Sequence, residues 1–350
     1  MKVAVIGAGP AGLAAAIELA RNDTPVTVFE RHERPGAKIR CAEGLLDLHR
    51  YHDRQPEGTR VGVSEVLVKI HNLYSFAVDE TPAYILDKEV WLANLAREAE
   101  SEGAHLETGS RVEISEARKE YDYVLDCSGS PSQSSSEYGI GPGSTALAVQ
   151  VKVGADFGSL LGKMYVQFVP GEKGYRWIFP KSEREANVGI GWTEDPPRDK
   201  WGRLGEFCRE TLQKYEPGER VAGQVPISPV EVPFYGNILL CGDAAGLANP
   251  YHGGGIHNAL FSGTLAAKCL AQRTPDAYPA LLSAGISAEM KVAAFARGLL
   301  ERSPLLHEKA VAYLSKRFTI GQLFSPSGYR RLIPFIHTWN LGTRLVPAGI

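Results

Sequence analysis

Two kinds of hydrophobic pattern occur along the chain, and they predict two kinds of sheet. Val3 to Ile6 is a short apolar run, Ala11 to Arg21 is rich in helix-forming residues, and Val26 to Phe29 is a second apolar run. A strand, a helix and a strand within about 30 residues form a βαβ unit, which requires a parallel sheet covered by helices. Similar runs at Tyr123 to Leu125 and at Ile238 to Cys241 predict further buried strands.

The middle of the chain has a different pattern. Its segments alternate apolar and polar residues or are rich in β-branched residues, which is typical of an antiparallel sheet. They are Val66 to Ile70, Tyr74 to Val78, Ala146 to Val153, Lys163 to Val169, Tyr175 to Phe179 and Ala186 to Trp192. From Gly255 onward the composition is mostly helical.

These patterns predict an α/β protein with a Rossmann-like nucleotide-binding domain, a second, mainly antiparallel β domain and a helical C-terminal segment. We expect the first domain to be discontinuous, over residues 1–62, 85–145 and 235–290, and the β-rich domain to cover residues 63–84 and 146–234. The helical segment covers residues 291–350. Lys88 to Gly103 predicts a helix, Pro35 to Gly62 a loop-rich stretch, and Ser128 to Gly143 a linker dense in Gly, Ser and Pro.

Composition narrows the class of protein. The 350 residues are 44% hydrophobic and 22% charged, which is ordinary for globular domains and excludes a disordered chain. No stretch reaches the ~18 uninterrupted apolar residues that a membrane span needs. Lys and Arg total 38 against 40 Asp and Glu, so the net charge of -2 indicates no nucleic-acid partner.

Five widely spread cysteines form no C-x-x-C pair, so they predict neither a disulfide framework nor a zinc site, and we expect no metal. They favour a reducing, cytoplasmic compartment. Met1 to Ala20 has some features of a signal peptide, but Glu18 interrupts its apolar run and its glycines recur at fixed spacing. We therefore assign it to the fold.

The glycine spacing at the start is the first motif with a chemical meaning. Gly7, Gly9 and Gly12 form G-x-G-x-x-G between a predicted strand and a helix, and Glu30 ends the next strand. Gly7 permits a tight turn, Gly9 lets the backbone approach a pyrophosphate, and Gly12 lets the helix pack closely on the strand. The helix N-terminus faces the phosphates and Glu30 accepts hydrogen bonds from a ribose. This motif leaves FAD and NAD open.

A second motif distinguishes the two cofactors. Cys241-Gly242-Asp243-Ala244-Ala245-Gly246 is followed by Asn249-Pro250 and by Gly253-Gly254-Gly255-Ile256. Here the chain resembles FAD-containing reductases and hydroxylases of the glutathione-reductase-type fold, which is related to that of the aromatic hydroxylases. The resemblance implies that the Gly-Asp-Ala segment contacts the ribityl-phosphate part of FAD and that the glycine run meets the flavin ring. Backbone N–H groups there would stabilise an anionic reduced flavin.

Three segments narrow the resemblance to the geranylgeranyl reductase family, flavoproteins that saturate isoprenoid double bonds. Lys38-Ile39-Arg40-Cys41-Ala42-Glu43-Gly44 is similar to the family's Lys-x-x-Cys-Gly segment, Gly174-Tyr175-Arg176-Trp177-Ile178-Phe179-Pro180 to its Tyr-x-Trp-x-Phe-Pro signature, and Asp243 to Gly255 to its flavin loop. The match covers about residues 1 to 300. Ala42 departs from the family's glycine, and Cys127-Ser128-Gly129 stands where Ala-Asp-Gly is usual.

The resemblance implies a set of site residues. The catalytic candidates are Cys41, Tyr175 and Trp177. The expected FAD-binding residues are Gly7, Gly9, Ala11, Gly12, Glu30, Arg31, Arg40, Cys41, Ala42, Gly129, Gly242, Asp243, Gly253, Gly254, Gly255 and Ile256.

An isolated trisubstituted alkene is not electrophilic, so hydride transfer to one carbon needs a proton at the other. We expect an apolar slot walled by aromatic side chains, whose faces stabilise transient positive charge, although the same residues are equally suited to filling a core. The candidates are Tyr165, Phe168, Tyr175, Trp177 and Phe179. Cys41 is a proton donor or a gate, whereas His257 fits a structural role better and His252 and Tyr251 stay open.

The segment from Lys309 onward contains six basic residues and no acidic one, together with six aromatic residues. It is suited to contact with an anionic membrane surface or to covering the substrate channel, and the two roles are compatible. The resemblance implies an isoprenoid substrate. Since no second nucleotide motif is present, we expect an external electron donor, NADPH or a ferredoxin.

Two alternatives have the same fold. A flavin monooxygenase or halogenase would let reduced flavin react with oxygen, and Cys127-Ser128-Gly129 favours it. An electron-transfer flavoprotein without small-molecule catalysis is the second, but the long aromatic sheet domain is against it, since electron transfer needs no deep pocket.

Overall fold

The computed structural model describes residues 1–46, 55–78, 83–324, 328 and 332. The strands within them are β1 Val3–Ile6, β2 Val26–Glu30, β3 Gly44–Leu46, β4 Thr59–Val63, β5 Glu65–Lys69, β6 Leu73–Ala77, β7 Ala83–Leu86, β8 His105–Thr108, β9 Tyr123–Asp126, β10 Thr145–Gly154, β11 Lys163–Gln167, β12 Gly174–Pro180, β13 Glu185–Trp192, β14 Glu216–Pro226, β15 Phe234–Tyr235 and β16 Ile238–Leu240. The helices are α1 Pro10–Arg21, α2 Lys88–Ser101, α3 Ile114–Glu120, α4 Gln133–Tyr138, α5 Lys200–Thr211, α6 Ile256–Ala271, α7 Tyr278–Arg302, α8 Pro304–Ser315 and α9 Ile320–Phe324.

The N-terminal βαβ unit lies in a six-stranded sheet of order β15-β16-β9-β1-β2-β8. All neighbours are parallel except β15 and β16. Every residue of β1 is buried, as expected for a strand covered by helices on both faces. Small residues bring α1 close to its neighbours: a Cβ on Gly12 would clash with the Gly7 carbonyl, and one on Gly263 of α6 would clash with the Ala11 carbonyl.

The middle of the chain forms a seven-stranded sheet of order β14-β10-β13-β12-β11-β5-β6. Its pairs are antiparallel except β5 and β11, which run parallel. This agrees with the prediction of a mainly antiparallel sheet, and β5 and β6 belong to it as their sequence pattern indicates. A third, smaller sheet has three strands in the order β3-β7-β4.

The period of two along the strands gives the large sheet two different faces. On β10, Val149, Val151 and Val153 pack in one core with α5. On the neighbouring β12, Ile178 joins that core, whereas Tyr175 and Trp177 face the opposite way and line a cavity. One face of the sheet is therefore core and the other forms a site.

The C-terminal part is helical as predicted, as far as the structure describes it. Helix α7 runs without interruption across the predicted boundary between residues 290 and 291. Among the described residues, no helix combines the length and the apolar character required to cross a membrane.

Two loop predictions were wrong in part. The stretch from Pro35 to Gly62 contains β3 and most of β4, which pair with β7, and residues 47–54 lie outside the described residues. The stretch from Ser128 to Gly143 contains α4, whose N-cap Ser132 accepts a hydrogen bond from Ser135 N. A buried Asp126 carboxylate at the end of β9 also accepts one from Ser134 N, so two side-chain caps stabilise a helix in a segment whose Ser and Gly content predicts a linker.

Candidate functional site

One cavity of about 750 Å³ lies between the parallel sheet and the large antiparallel sheet. It is lined by both glycine motifs, by the segment around Cys41 and by one face of β12. Of the residues predicted for the site, all but Gly12 and Gly242 line it: Gly7, Gly9, Ala11, Glu30, Arg31, Arg40, Cys41, Ala42, Gly129, Tyr175, Trp177, Asp243, Gly253, Gly254, Gly255 and Ile256. The fold thus brings together segments that are more than 200 residues apart in sequence.

The three glycines of the first motif meet three different demands. Gly7 has φ +106°, and a Cβ there would lie 2.5 Å from the Cys127 carbonyl oxygen. A Cβ on Gly9 would meet nothing within 4 Å, so this glycine borders open space in the cavity. Gly12 lies outside the cavity, where its lack of a side chain permits close packing of α1 on the turn after β1.

Glu30, at the end of β2, holds the same turn. Its Oε2 accepts a hydrogen bond from Ala8 N at 3.0 Å, and its Oε1 accepts from His32 N at 2.9 Å and lies 2.8 Å from His32 Nδ1. A carboxylate offers about four lone-pair sites, so these contacts leave acceptor capacity on Oε2. Glu30 can therefore bind a ligand hydroxyl as well as fix the loop.

The second motif begins after β16 with a short 3-10 turn, Gly242–Ala245. Gly242 lies outside the cavity, has φ +58° and packs between α1 and α6, where a Cβ would lie 3.2 Å from the Cβ atoms of Ala11 and Ala259. Asp243 borders the cavity, and burial raises the pKa of its carboxyl group while the positive charge of Lys88 opposes the shift. A carboxyl group at the cavity wall can form hydrogen bonds with a ligand there.

The open space beside two glycines and the N-termini of two helices make the cavity suitable for a dinucleotide. Gly9 and Gly129 both border open space, because no protein atom lies within 4 Å of the ideal Cβ position of either glycine. Helix α1 and helix α6 both begin at the cavity with a glycine N-cap and no side-chain cap. Free N–H groups at two helix N-termini are suited to anionic groups such as a pyrophosphate.

The aromatic residues of β12 line the other part of the cavity. Tyr175, Trp177 and Phe179 share one face of the strand, and the ring centroids of Tyr175 and Trp177 are 5.6 Å apart. The Tyr175 hydroxyl donates a hydrogen bond to the His252 carbonyl at 2.5 Å. This bond ties the aromatic strand to the glycine run that begins at Gly253.

Two other aromatic candidates lie elsewhere. Tyr165 packs against the core on the opposite face of the sheet, because it alternates with the cavity-lining Met164 and Val166 on β11. Phe168 is buried behind the cavity wall, with its ring stacked on Tyr251 at 5.3 Å between centroids. The expectation that both wall the slot was wrong. Strand alternation turns Tyr165 to the opposite face, whereas Phe168 follows the end of β11 and is buried in a cluster with Tyr251 behind the wall.

Cys41 lies at the junction of the two parts. It is the one cysteine of five that is not buried, and its Sγ accepts a hydrogen bond from Glu43 N at 3.3 Å. Gln150 connects it to the aromatic strand: Trp177 Nε1 donates to Gln150 Oε1 and Gln150 Nε2 donates to the Cys41 carbonyl, both at 3.2 Å. The two catalytic candidates Cys41 and Trp177 thus share one hydrogen-bonded unit.

The two histidines around the glycine run have different surroundings. His257 is buried, with Nε2 3.1 Å from Glu289 Oε1, in agreement with a structural role. His252 Nδ1 accepts a hydrogen bond from Gly254 N at 3.1 Å, and burial lowers the pKa of His252 to about 4. His252 is therefore neutral at pH 7 and shapes the loop.

Sequence reasoning missed the polar residues that hold these loops. Glu43 and Lys181 form a buried ion pair at 2.7 Å. The hydroxyl group of Tyr251, a residue to which the sequence assigns no definite role, lies 2.7 Å from Nε2 of the buried His307 on α8. Each pair joins residues far apart in the chain, so no local spacing rule predicts it. One sequence signal was available: Glu43 lies within one of the family-like segments, and Lys181 directly follows another.

Comparisons with known proteins agree with this geometry. Residues 5–53 match a family model described as an NAD(P)-binding Rossmann-like domain, and residues 147–225 match the geranylgeranyl reductase catalytic domain. The chain is 32% identical over 306 residues to digeranylgeranylglycerophospholipid reductase 2 of Methanopyrus kandleri, covering 77% of this chain and 76% of that protein. It is 30% identical to a digeranylgeranylglycerophospholipid reductase of Methanosarcina mazei, covering 75% and 73% of the two chains.

Solved structures share the fold. A geranylgeranyl bacteriochlorophyll reductase-like protein of Thermoplasma acidophilum superposes with a TM-score of 0.80 at 21% identity, over 95% of this chain and 98% of that one. A flavin-dependent brominase superposes with a TM-score of 0.66 at 16% identity, over 97% and 100% of the two chains, which is a likeness of fold alone. The sequence relatives, together with the catalytic-domain match over the aromatic strands, decide the family: the chain belongs to the geranylgeranyl reductase family of oxidoreductases.

Proposed function

We propose that this protein holds FAD and reduces carbon–carbon double bonds in the isoprenoid chains of a glycerophospholipid. The observation that carries the proposal is the single cavity that joins a dinucleotide-type glycine loop to an aromatic strand face and Cys41. The substrate class follows the relatives, which are named as reductases of digeranylgeranyl glycerophospholipids. The family match favours this reaction over oxygenation or halogenation, and the continuous cavity favours it over simple electron transfer.

The glycine end of the cavity would bind the cofactor. Gly9 and the N-terminus of α1 would accept the pyrophosphate, and Glu30 would accept hydrogen bonds from the adenosine ribose. Asp243 would bind the ribityl-phosphate part, and the N-terminus of α6 at Gly255 would face the flavin ring. When bound and reduced, FAD supplies hydride to the alkene.

The aromatic end would bind and activate the lipid chain. Tyr175, Trp177 and Phe179 exclude water from the alkene, and their ring faces stabilise positive charge that develops when a proton reaches one carbon. Trp177 is oriented for this by its hydrogen bond to Gln150. Fixed rings keep the charge-stabilising faces in place without reorganisation.

Cys41 would hold the proton at Sγ or close the slot around the chain. Its thiol lies at the cavity wall and its carbonyl is held by Gln150, so the sulfur has a defined position. Electrons would come from NADPH or a ferredoxin that docks from outside.

The C-terminal segment would contact the membrane that contains the substrate. On α8, Leu305 and Tyr313 are 61% and 55% exposed, and the Arg317 guanidinium lies 4.0 Å from the centre of the Tyr313 ring. Lys309 and Lys316 are also exposed, so this face offers apolar and cationic groups to anionic lipid. Phe318 and Phe324 are partly buried in the cluster around Phe168. The other basic and aromatic residues of the segment, Arg330, Arg331, Arg344, Tyr329, Phe335 and Trp339, lie outside the described residues. Sedimentation with anionic vesicles measures this contact.

An anaerobic turnover tests the proposed reaction. Protein reconstituted with FAD is reduced with dithionite and mixed with a digeranylgeranyl glycerophospholipid, and flavin absorbance and lipid mass are followed together. We expect flavin reoxidation with a gain of two hydrogens per bond reduced, and no reoxidation with the fully saturated lipid as the matched control. A flavin that stays reduced with the unsaturated lipid and reoxidises only on admission of oxygen would contradict the proposal and favour a monooxygenase.

A further inference from the structure

Residues 41–43 are held from three directions by side chains of the large sheet. Gln150 of β10 donates to the Cys41 carbonyl at 3.2 Å, and Asn187 of β13 donates to the Ala42 carbonyl at 3.1 Å. The Glu43 carboxylate then accepts from Lys181 Nζ at 2.7 Å and from Asn187 Nδ2 at 2.8 Å. Three consecutive residues beside the cavity are therefore fixed by β10 and β13 of the large sheet and by Lys181, which directly follows the aromatic strand β12.

Glu43 also binds the other side of the site. Its Oε1 accepts a hydrogen bond from Lys88 N at 2.9 Å, at the first residue of helix α2. The ion pair with Lys181 is deeply buried, since both side chains are only 6% exposed. One carboxylate thus links α2, the Cys41 segment and the end of β12.

Two features distinguish this pair from an ordinary stabilising contact. Burying two charges costs about as much as their attraction returns, so a buried ion pair is weak evidence for added stability, and in some proteins such pairs specify a conformation instead. Glu43 also has φ +66°, in the left-handed region that non-glycine residues seldom adopt. Strained backbone of this kind persists where surrounding contacts impose it, and it is common beside functional sites.

We propose that Glu43 and Lys181 are positioning residues that hold the Cys41 thiol at the cavity wall. The pair keeps the turn at Glu43 in its strained conformation, and that turn sets the direction of the Cys41 side chain two residues earlier. Glu43 N, which donates to Cys41 Sγ, is part of the same turn. The inference rests on the proposed function for the role of Cys41, but the position of the thiol is measurable without turnover.

Thiol alkylation is the direct readout, because Cys41 is the one partly exposed cysteine and the other four are buried. The FAD-loaded protein is treated with iodoacetamide, and modification at each cysteine is followed by mass spectrometry. In Lys181→Met the carboxylate loses its cation, and we expect alkylation at Cys41 to become about tenfold faster through local opening. Cys208, in the core behind the same sheet, should stay protected.

The matched control is Lys173→Met, which breaks the exposed ion pair of Lys173 with Glu194 just before β12. This variant should alkylate Cys41 at the wild-type rate. If Lys181→Met fails to fold, the double variant Glu43→Gln/Lys181→Met removes both buried charges, and we expect faster alkylation at Cys41 there too. If the variant that folds alkylates Cys41 at the wild-type rate, the proposal is overturned. It is also overturned if alkylation of Cys208 becomes faster to the same extent, because that result indicates global unfolding.

Lipid reduction separates this inference from the proposed function. If wild-type protein reduces the lipid, Lys181→Met should lower kcat with little change in KM, and Lys181→Arg should restore part of it. If wild-type protein does not reduce the lipid, the proposed function fails, whereas the alkylation rates still decide whether the pair positions Cys41.

Discussion

The two ends of the cavity are built from different parts of the polypeptide. The glycine end is formed by backbone: turns at positive φ, two helix N-termini without side-chain caps, and Gly9 bordering open space. The aromatic end is formed by side chains that contacts with other strands hold in place. Trp177, for example, donates a hydrogen bond to Gln150 of β10. Backbone sites depend on local spacing, whereas side-chain sites depend on tertiary pairing.

This difference determines how each end tolerates change. A glycine turn fails when any side chain occupies the wrong space, so single substitutions should have large and separable effects on folding or on cofactor binding. An aromatic wall supported by several hydrogen bonds should lose function gradually.

The largest effect is expected for Gly7→Ala. Its Cβ would lie 2.5 Å from the Cys127 carbonyl oxygen, and the φ of +106° is unfavourable for any side chain, so we expect the free energy of unfolding to fall by about 3 kcal/mol or more. Gly103→Ala is the matched control, because Gly103 has φ +107° but no atom within 4 Å of the ideal Cβ. Urea denaturation measures both variants, and equal losses would mean that strain alone, without the clash, governs this turn.

Gly9→Ala should separate cofactor binding from folding. No protein atom lies within 4 Å of its ideal Cβ, so the stability of the FAD-free protein should change by less than about 0.5 kcal/mol. The same methyl group would occupy space needed by a pyrophosphate, and we expect FAD binding to weaken by about 2 kcal/mol, or roughly 30-fold. Titration of the FAD-free protein by flavin fluorescence measures this, and wild-type affinity would show that the loop does not approach the phosphates.

The glycine end was the more predictable of the two from sequence. The spacing of Gly7, Gly9 and Gly12 predicts a tight turn at Gly7 and close packing at Gly12, which the structure has, whereas the approach of Gly9 to a pyrophosphate stays a prediction. The shared face of Tyr175 and Trp177 follows from strand alternation. That rule also places Tyr165 on the opposite face once the register of β11 and β12 is known, and sequence alone does not supply that register.

What escaped prediction depends on contacts across the fold. Lys181 lies 138 residues from Glu43, and His307 lies 56 residues from Tyr251, so neither pairing leaves a local pattern. In the Ser-rich segment of helix α4, the Asp126 carboxylate at the end of β9 adds a second cap to the local one at Ser132. The domain boundaries and the roles assigned to individual site residues stay predictions.

The third effect, comparable in size to that at Gly9, concerns pH and the contact of α8 with the aromatic end of the cavity. Burial lowers the pKa of His307 to about 4, with the Glu308 carboxylate opposing the shift. An unfolded histidine has a pKa near 6.5, so the folded state binds fewer protons between these values. This contribution to stability is complete above about pH 6.5 and is lost as pH falls toward 4.

His307→Gln should therefore flatten the fall in unfolding free energy between pH 6.5 and pH 4, by an amount of the order of 2 kcal/mol. The substitution keeps a polar side chain opposite the Tyr251 hydroxyl, so the contact between α8 and the cavity wall is partly preserved. His105→Gln is the control, because the side chain of His105 is 69% exposed. Urea denaturation at a series of pH values measures both. If His307→Gln and wild type lose stability in parallel, the folded protein does not hold His307 neutral, and the contact of α8 with the cavity wall is not the source of the acid sensitivity.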